Sequence, residues 1–162
     1  MICHTAVTGR VLGLNTRQFN RSHGYAATGR SDNQLRTLNH IGVFSSDIGG
    51  AGEYGTMPDP RDGAASLQDR AKAYLDSNCS ICHQPNGPTP VSMDLRYATS
   101  LADMRLVGVT TETAAGAPGN HSSSDLWRRV SSTGANRMPP LGVGVVDAEA
   151  VQMLSAWIDG LQ

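Results

Sequence analysis

Aromatic side chains are scarce in this chain: they make up 5% of its 162 residues, with two tryptophans and two phenylalanines. Large rings carry much of a core's apolar volume, so a chain this poor in them has little to bury. An excess of one charge is missing too. Thirteen basic residues against fourteen acidic ones leave a net charge of −1, which argues against a polyanion-binding surface or attraction to an anionic membrane. No apolar run is long enough to span a bilayer, and no charged start followed by an apolar stretch marks an export leader. Hydrolase, phosphate-loop and paired-carboxylate patterns do not stand out. His121 is followed by Ser122, Ser123, Ser124 and Asp125, but catalytic triads converge from separate elements, not from neighbours. Cysteine is the last scarcity, with three residues in all.

What the chain has instead is loop-forming residues, eighteen glycines and eight prolines, and one dense motif. Two of its cysteines fall in Cys79-Ser80-Ile81-Cys82-His83. Two thiols three positions apart, followed at once by an imidazole, is the attachment pattern of c-type haem. Each thiol can add across one vinyl group, and the adjacent histidine then faces the iron as proximal ligand. Cys-x-x-Cys also serves thioredoxin-like redox sites and half of a zinc ribbon. The first needs a βαβ context, which this stretch lacks; the second needs another Cys-x-x-Cys, and only Cys3 remains. A zinc module drawing on Cys3, His4, Cys79 and Cys82 has suitable ligand types, but its halves lie far apart in the chain.

The flanks of the motif favour haem. Upstream, Ser66-Leu67-Gln68-Asp69 starts a helix in the manner of a capping box, and Leu67, Ala71, Tyr74 and Leu75 share one face. That helix, over about 67 to 78, runs straight into Cys79. Downstream, Asn136-Arg137-Met138-Pro139-Pro140 presents a thioether on a proline-stiffened loop. Met138 is thereby the candidate sixth ligand; its plain alternative is a core gap-filler. A buried macrocycle would also add the apolar volume that the side chains lack.

On these residues, 66 to 162 resemble a class I c-type cytochrome: helix, Cys-x-x-Cys-His, a Gly/Pro loop, middle helices, a Met-Pro loop and a terminal helix. The resemblance implies an all-α, cytochrome c-like helical fold around covalent haem c, with long Gly/Pro loops. It implies His83 and Met138 as axial ligands, and first and last helices that cross. It also implies a proline carbonyl that accepts from the proximal histidine, for which Pro85 and Pro88 are both candidates.

The chain's start adds a second expectation. Met1-Ile2-Cys3-His4 repeats the Ile-Cys-His of residues 81 to 83. It reads as the end of a second attachment motif, with a cysteine and an export signal expected upstream. Together with Arg17-Gln-Phe-Asn-Arg and Asn33-Gln-Leu-Arg-Thr-Leu-Asn-His-Ile-Gly-Val-Phe, the chain resembles the C-terminal region of bacterial dihaem c-type cytochromes. Some of these are fused to quinoprotein sugar-dehydrogenase-like domains. The resemblance implies a second haem on Cys3 and His4. Its sixth ligand would be His40, which closes a helix, with Met57-Pro58 as rival.

The remaining segments complete the expectations. Asn15 to Asn20 opens a short helix; Arg21 to Arg30 is an exposed loop; Ser31 or Asp32 caps a helix from Asn33 to His40. Thr99 to Leu106 is a short helix or strand, and Thr110 to His121 a loop. Ser124-Asp125 caps a helix over Leu126 to Ser131, with Arg128 and Arg129 on its solvated face. Asp147 caps a last helix with Val151, Leu154, Ile158 and Leu161 inward, where Trp157 can meet Tyr74. Arg96 is a candidate partner for a haem propionate. The domains read as 1–57, a linker 58–65, and 66–162. The functional expectation is extracytoplasmic, periplasmic electron transfer to redox partner proteins through His/Met-ligated haem, not an enzyme's chemistry. The alternative is a haem enzyme or gas sensor with an open sixth position.

Overall fold

The computed structural model describes residues 4–10, 12–107 and 118–162. Cys3 and most of the 110–121 loop therefore lie outside the described residues. The chain divides into two compact units, Gly13–Asp59 and Pro60–Gln162 together with Met1–Leu12.

In the unit 13–59, Asn15 starts helix α1 (Thr16–Phe19) with a full capping box. Its side chain accepts from the Gln18 amide, and the Gln18 side chain accepts from the Asn15 amide at 2.7 Å. Two strands follow, β1 (Ser22–Tyr25) and β2 (Arg30–Asn33), paired antiparallel with Ser22 opposite Asn33 and Tyr25 opposite Arg30. The turn between them closes through the Thr28 and Gly29 amides, both donating to the Tyr25 carbonyl. Gly29 holds φ +65° there, a left-handed conformation that side chains with a Cβ resist. Helix α2 (Gln34–His40) is capped by Asn33, whose side chain accepts from the Arg36 amide at 3.2 Å. Asp32 has another role: it takes the Arg36 guanidinium and the Asn33 amide.

This hairpin overturns the all-α expectation. The described structure is 32% helical and carries a two-stranded sheet, so it is mixed, with loops dominating. The physical reason lies in residues 21 to 33. They are polar and mostly exposed, so neither a helical nor a strand-like apolar period marks them, and turn chemistry decides. The expected exposed loop over 21 to 30 is instead the first strand and turn of the hairpin.

The unit is centred on a polar residue. Asn20, 5% exposed, donates to the carbonyls of Ala51 (2.9 Å) and Tyr54 (2.7 Å) and accepts from the Asn33 side chain at 2.8 Å. Tyr54 returns its hydroxyl to the Ile48 carbonyl at 2.6 Å. The glycine-rich 47–55 stretch is thus held by side-chain-to-backbone bonds in place of a ladder. Leu35 and Met57 are its buried apolar residues.

In the larger unit, α3 (Leu67–Asn78) is capped by Ser66, which accepts from the Asp69 amide at 3.0 Å. α4 (Asp125–Val130) is capped by Ser124 and α5 (Ala148–Asp159) by Asp147. α3 and α5 pack together. Ala71, Leu75 and Cys79 join Leu154, Trp157 and Ile158 in one core, with Leu95, Met104 and Leu106 closing it from the loops. α5 buries Ala150, Met153, Leu154, Trp157 and Ile158, and Val151 and Leu161 of the expected stripe pack partly buried against the same core. Trp157 and the half-buried Tyr74 share this core, as expected. Residues 99 to 106 form turns, neither helix nor strand; Ser100 accepts from the Asp103 amide, and Met104 and Leu106 are drawn inward.

Replacing Asn20 by alanine removes one acceptor and leaves the Ala51 and Tyr54 carbonyls without that donor. The expected cost is about 1–3 kcal/mol. Amide exchange across residues 48–55 should accelerate accordingly, and unchanged protection there would show that Asn20 does not organise the unit.

Candidate functional site

The last turn of α3 delivers the motif. Its terminal carbonyls are satisfied locally: Leu75 accepts from both the Cys79 and Ser80 amides, while the Asn78 side chain and the Ser80 hydroxyl serve Tyr74 and Asp76. These bonds do the work of a C-cap. The chain then makes one further turn on the Cys79 carbonyl, which accepts from Cys82 N–H at 3.1 Å and His83 N–H at 2.9 Å. These two bonds hold Cys79, Cys82 and His83 on one turn of backbone.

Beyond His83 the chain is pinned twice. Gly87 N–H donates to the Gln84 carbonyl at 2.8 Å, and Leu95 N–H to the His83 carbonyl at 2.9 Å. Leu95 is 2% exposed, which ties the motif turn to the core. A Cβ at Gly87 would collide with the Cys82 carbonyl and come within 2.8 Å of the Gln84 carbonyl. Both are backbone atoms, so only glycine fits.

The chemistry of the three side chains differs. Cys79 and Cys82 are thiols. Burial, then the neighbouring Cys82, pushes Cys79 up to about 12, so it is protonated at neutral pH. That is the opposite of a dithiol redox site, whose attacking cysteine needs a depressed value. Tyr74 is likewise pushed up to about 12, first by burial and then by Cys79 and Asp147. His83 is lowered, by burial first and the Arg129 guanidinium second. Its imidazole is thereby held neutral, the form that ligates metal. His83 Nδ1 is buried without a hydrogen-bond partner, so neither Pro85 nor Pro88 supplies the expected carbonyl.

Met138 is half-buried, in a stiffened loop. Gly134 N–H bonds the Ser132 hydroxyl, Arg137 N–H the Gly134 carbonyl, and Met138 N–H the Arg129 carbonyl at 3.1 Å. Arg129 Nε donates to Asp125 Oδ2 at 3.1 Å. Arg129 is thus half-buried, bonded through its carbonyl to the Met138 amide, and not on a solvated face. The sequence reading missed this, although Asp125 and Arg129 at i and i+4 on a capped helix carried the signal.

The remaining candidates are placed as follows. Arg96 is clamped by Asp94 through Nε at 2.8 Å and Nη2 at 2.6 Å. His121 bonds Asp159 through its ring at 2.8 Å and its amide at 2.9 Å. His4 is exposed, and its Nδ1 lies 2.9 Å from the Arg10 carbonyl. A carbonyl only accepts, so Nδ1 carries the proton and Nε2 is the nitrogen with a lone pair to offer. His40 ends α2 with an exposed side chain, and Met57 is buried at 5%. Among the described residues, no three histidine, cysteine or acidic side chains gather as metal donors; Cys3 lies outside them.

The residues of the motif fit a covalently held haem. Two thiols and a neutral imidazole lie on one turn, and the imidazole's Nδ1 is an orphaned buried atom. Comparison with family models, curated proteins and solved structures returned no match.

Gly87→Ala is expected to force the Cys82–Gly87 turn open and to cost about 1–3 kcal/mol. A lowered urea midpoint with faster exchange at the Gly87 and Leu95 amides is the readout. An unshifted midpoint would mean that the turn relaxes freely.

Proposed function

We propose that this chain transfers single electrons through c-type haem held by Cys79, Cys82 and His83, in an extracytoplasmic compartment. The supporting observation is the turn on the Cys79 carbonyl, which carries two thiols and an imidazole held neutral on one short stretch of backbone. In attachment, each thiol adds across one vinyl double bond: sulfur bonds one carbon, the proton goes to the other, and no oxidant is consumed. Haem iron, when bound, supplies one-electron chemistry between its ferric and ferrous states.

The chain's own residues set the conditions for that chemistry. The Leu95–His83 backbone bond and the buried surroundings hold the imidazole in place. The bond from Met138 N–H to Arg129 fixes the base of the loop that offers the thioether as sixth ligand. Fixed ligands in an apolar shell keep reorganisation small, and Met/His ligation raises the potential. Cys3 and His4 belong to this proposal as the attachment of a second haem, with the His4 ring oriented by the Arg10 carbonyl. The partners would be redox proteins, including a fused or associated quinoprotein dehydrogenase. No helix among the described residues is long and apolar enough to cross a membrane.

The Met138 ligand separates electron transfer from a haem enzyme or gas sensor with an open position. Met138→Ala should keep covalent haem while its reduced form gains carbon monoxide binding that the wild type resists. If the reduced wild type binds carbon monoxide as readily as the variant, Met138 is a core methionine and the sensor or enzyme reading replaces this one.

A further inference from the structure

Arg129 is bonded through its backbone to the candidate ligand Met138. Its carbonyl accepts from Met138 N–H at 3.1 Å. Its guanidinium is parked by Asp125 one turn back on α4, with side-chain exposures of 31% and 19%. A pair so placed is screened by water and salt less than a surface pair. Of the neighbouring cations, Arg128 is exposed and turned to the Ser123 carbonyl at 2.8 Å. Arg137 is turned back on its own loop, with Nη1 on the Gly134 carbonyl at 3.1 Å. Arg129 alone of these three is paired with a carboxylate on its own helix.

We propose, resting on the haem reading above, that the Arg129–Asp125 pair sets the charge of the redox site. Reduction takes one electron from a protein donor and leaves the iron with one positive charge fewer. A fixed cation nearby therefore favours the reduced form and raises the midpoint potential. Asp125 holds that cation in one place and offsets part of its field. The two roles of Arg129 are separable, because side-chain substitutions leave its carbonyl, and so the anchor of the Met138 loop, in the chain.

The test is a redox titration of the haem-loaded full chain, with amide exchange at Met138 measured on the haem-free chain. R129Q is expected to lower the potential, leaving about threefold fewer reduced molecules at the wild-type midpoint. D125N should raise it, R129K should stay near wild type, and Met138 protection should be unchanged in R129Q. Shifts of the same sign in R129Q and D125N, an unmoved R129Q, or lost Met138 protection would each overturn the assignment in favour of a structural role. If R129Q and R129K both fail to load haem, charge is not what the side chain supplies, which also overturns it. Absence of covalent haem from the wild type would remove the functional reading itself, and is read before any variant is compared.

Discussion

The contact of α3 with α5 decides where the Cys79 sulfur ends up. Leu75 and Ala71 on one helix and Leu154 and Ile158 on the other are all fully buried or nearly so. With that packing in place, the end of α3 cannot shift without opening the core. Everything in the candidate site follows from that fixed end. The Cys79 carbonyl receives the Cys82 and His83 amides, the His83 carbonyl receives Leu95, and Leu95 returns to the same core. The site is therefore an extension of the core, not a loop laid on it.

The same core explains the polar atoms left without partners. His83 Nδ1, Trp127 Nε1 and Trp157 Nε1 are buried and unpaired, each at a cost of about 1–3 kcal/mol. A chain with 5% aromatics has few apolar contacts to offset such costs. Two of these atoms belong to residues in or against the α3–α5 core, and the third is the imidazole of the motif. The haem of the proposed function, with its polar edge, would be a partner of the right chemistry for this arrangement. The smaller unit solves its own shortage differently, by turning Asn20 into a hub for backbone carbonyls.

How much of this was legible in the sequence follows physical lines. Helix starts were readable at Asn15, Ser66, Ser124 and Asp147, because a cap is a local hydrogen bond between near neighbours. The motif was readable because its spacing is itself the chemistry. The hairpin was not, since residues 22 to 33 bury almost nothing and only the Ala26-Ala27-Thr28-Gly29 turn carries a strand signal. The all-α expectation failed there. α5's expected stripe of Val151, Leu154, Ile158 and Leu161 lies in or against the core, and Met153 and Trp157 widen that face because both are apolar and tertiary packing reaches them. Arg129's ion pair with Asp125 was legible at i and i+4, whereas the bond from Met138 N–H to its carbonyl comes from a later loop that no helical pattern records.

The central claim is that Cys79 and Cys82 carry haem through thioether bonds. Its most direct test is mass spectrometry of the intact chain, purified from cells that mature c-type haem outside the cytoplasm. The peptide containing residues 79–83 would be mapped in the wild type and in the Cys79→Ser/Cys82→Ser variant. The account predicts a haem mass on that wild-type peptide that survives acid extraction, and none there in the variant. Both thiols of the wild type found unmodified and open to alkylation would contradict it.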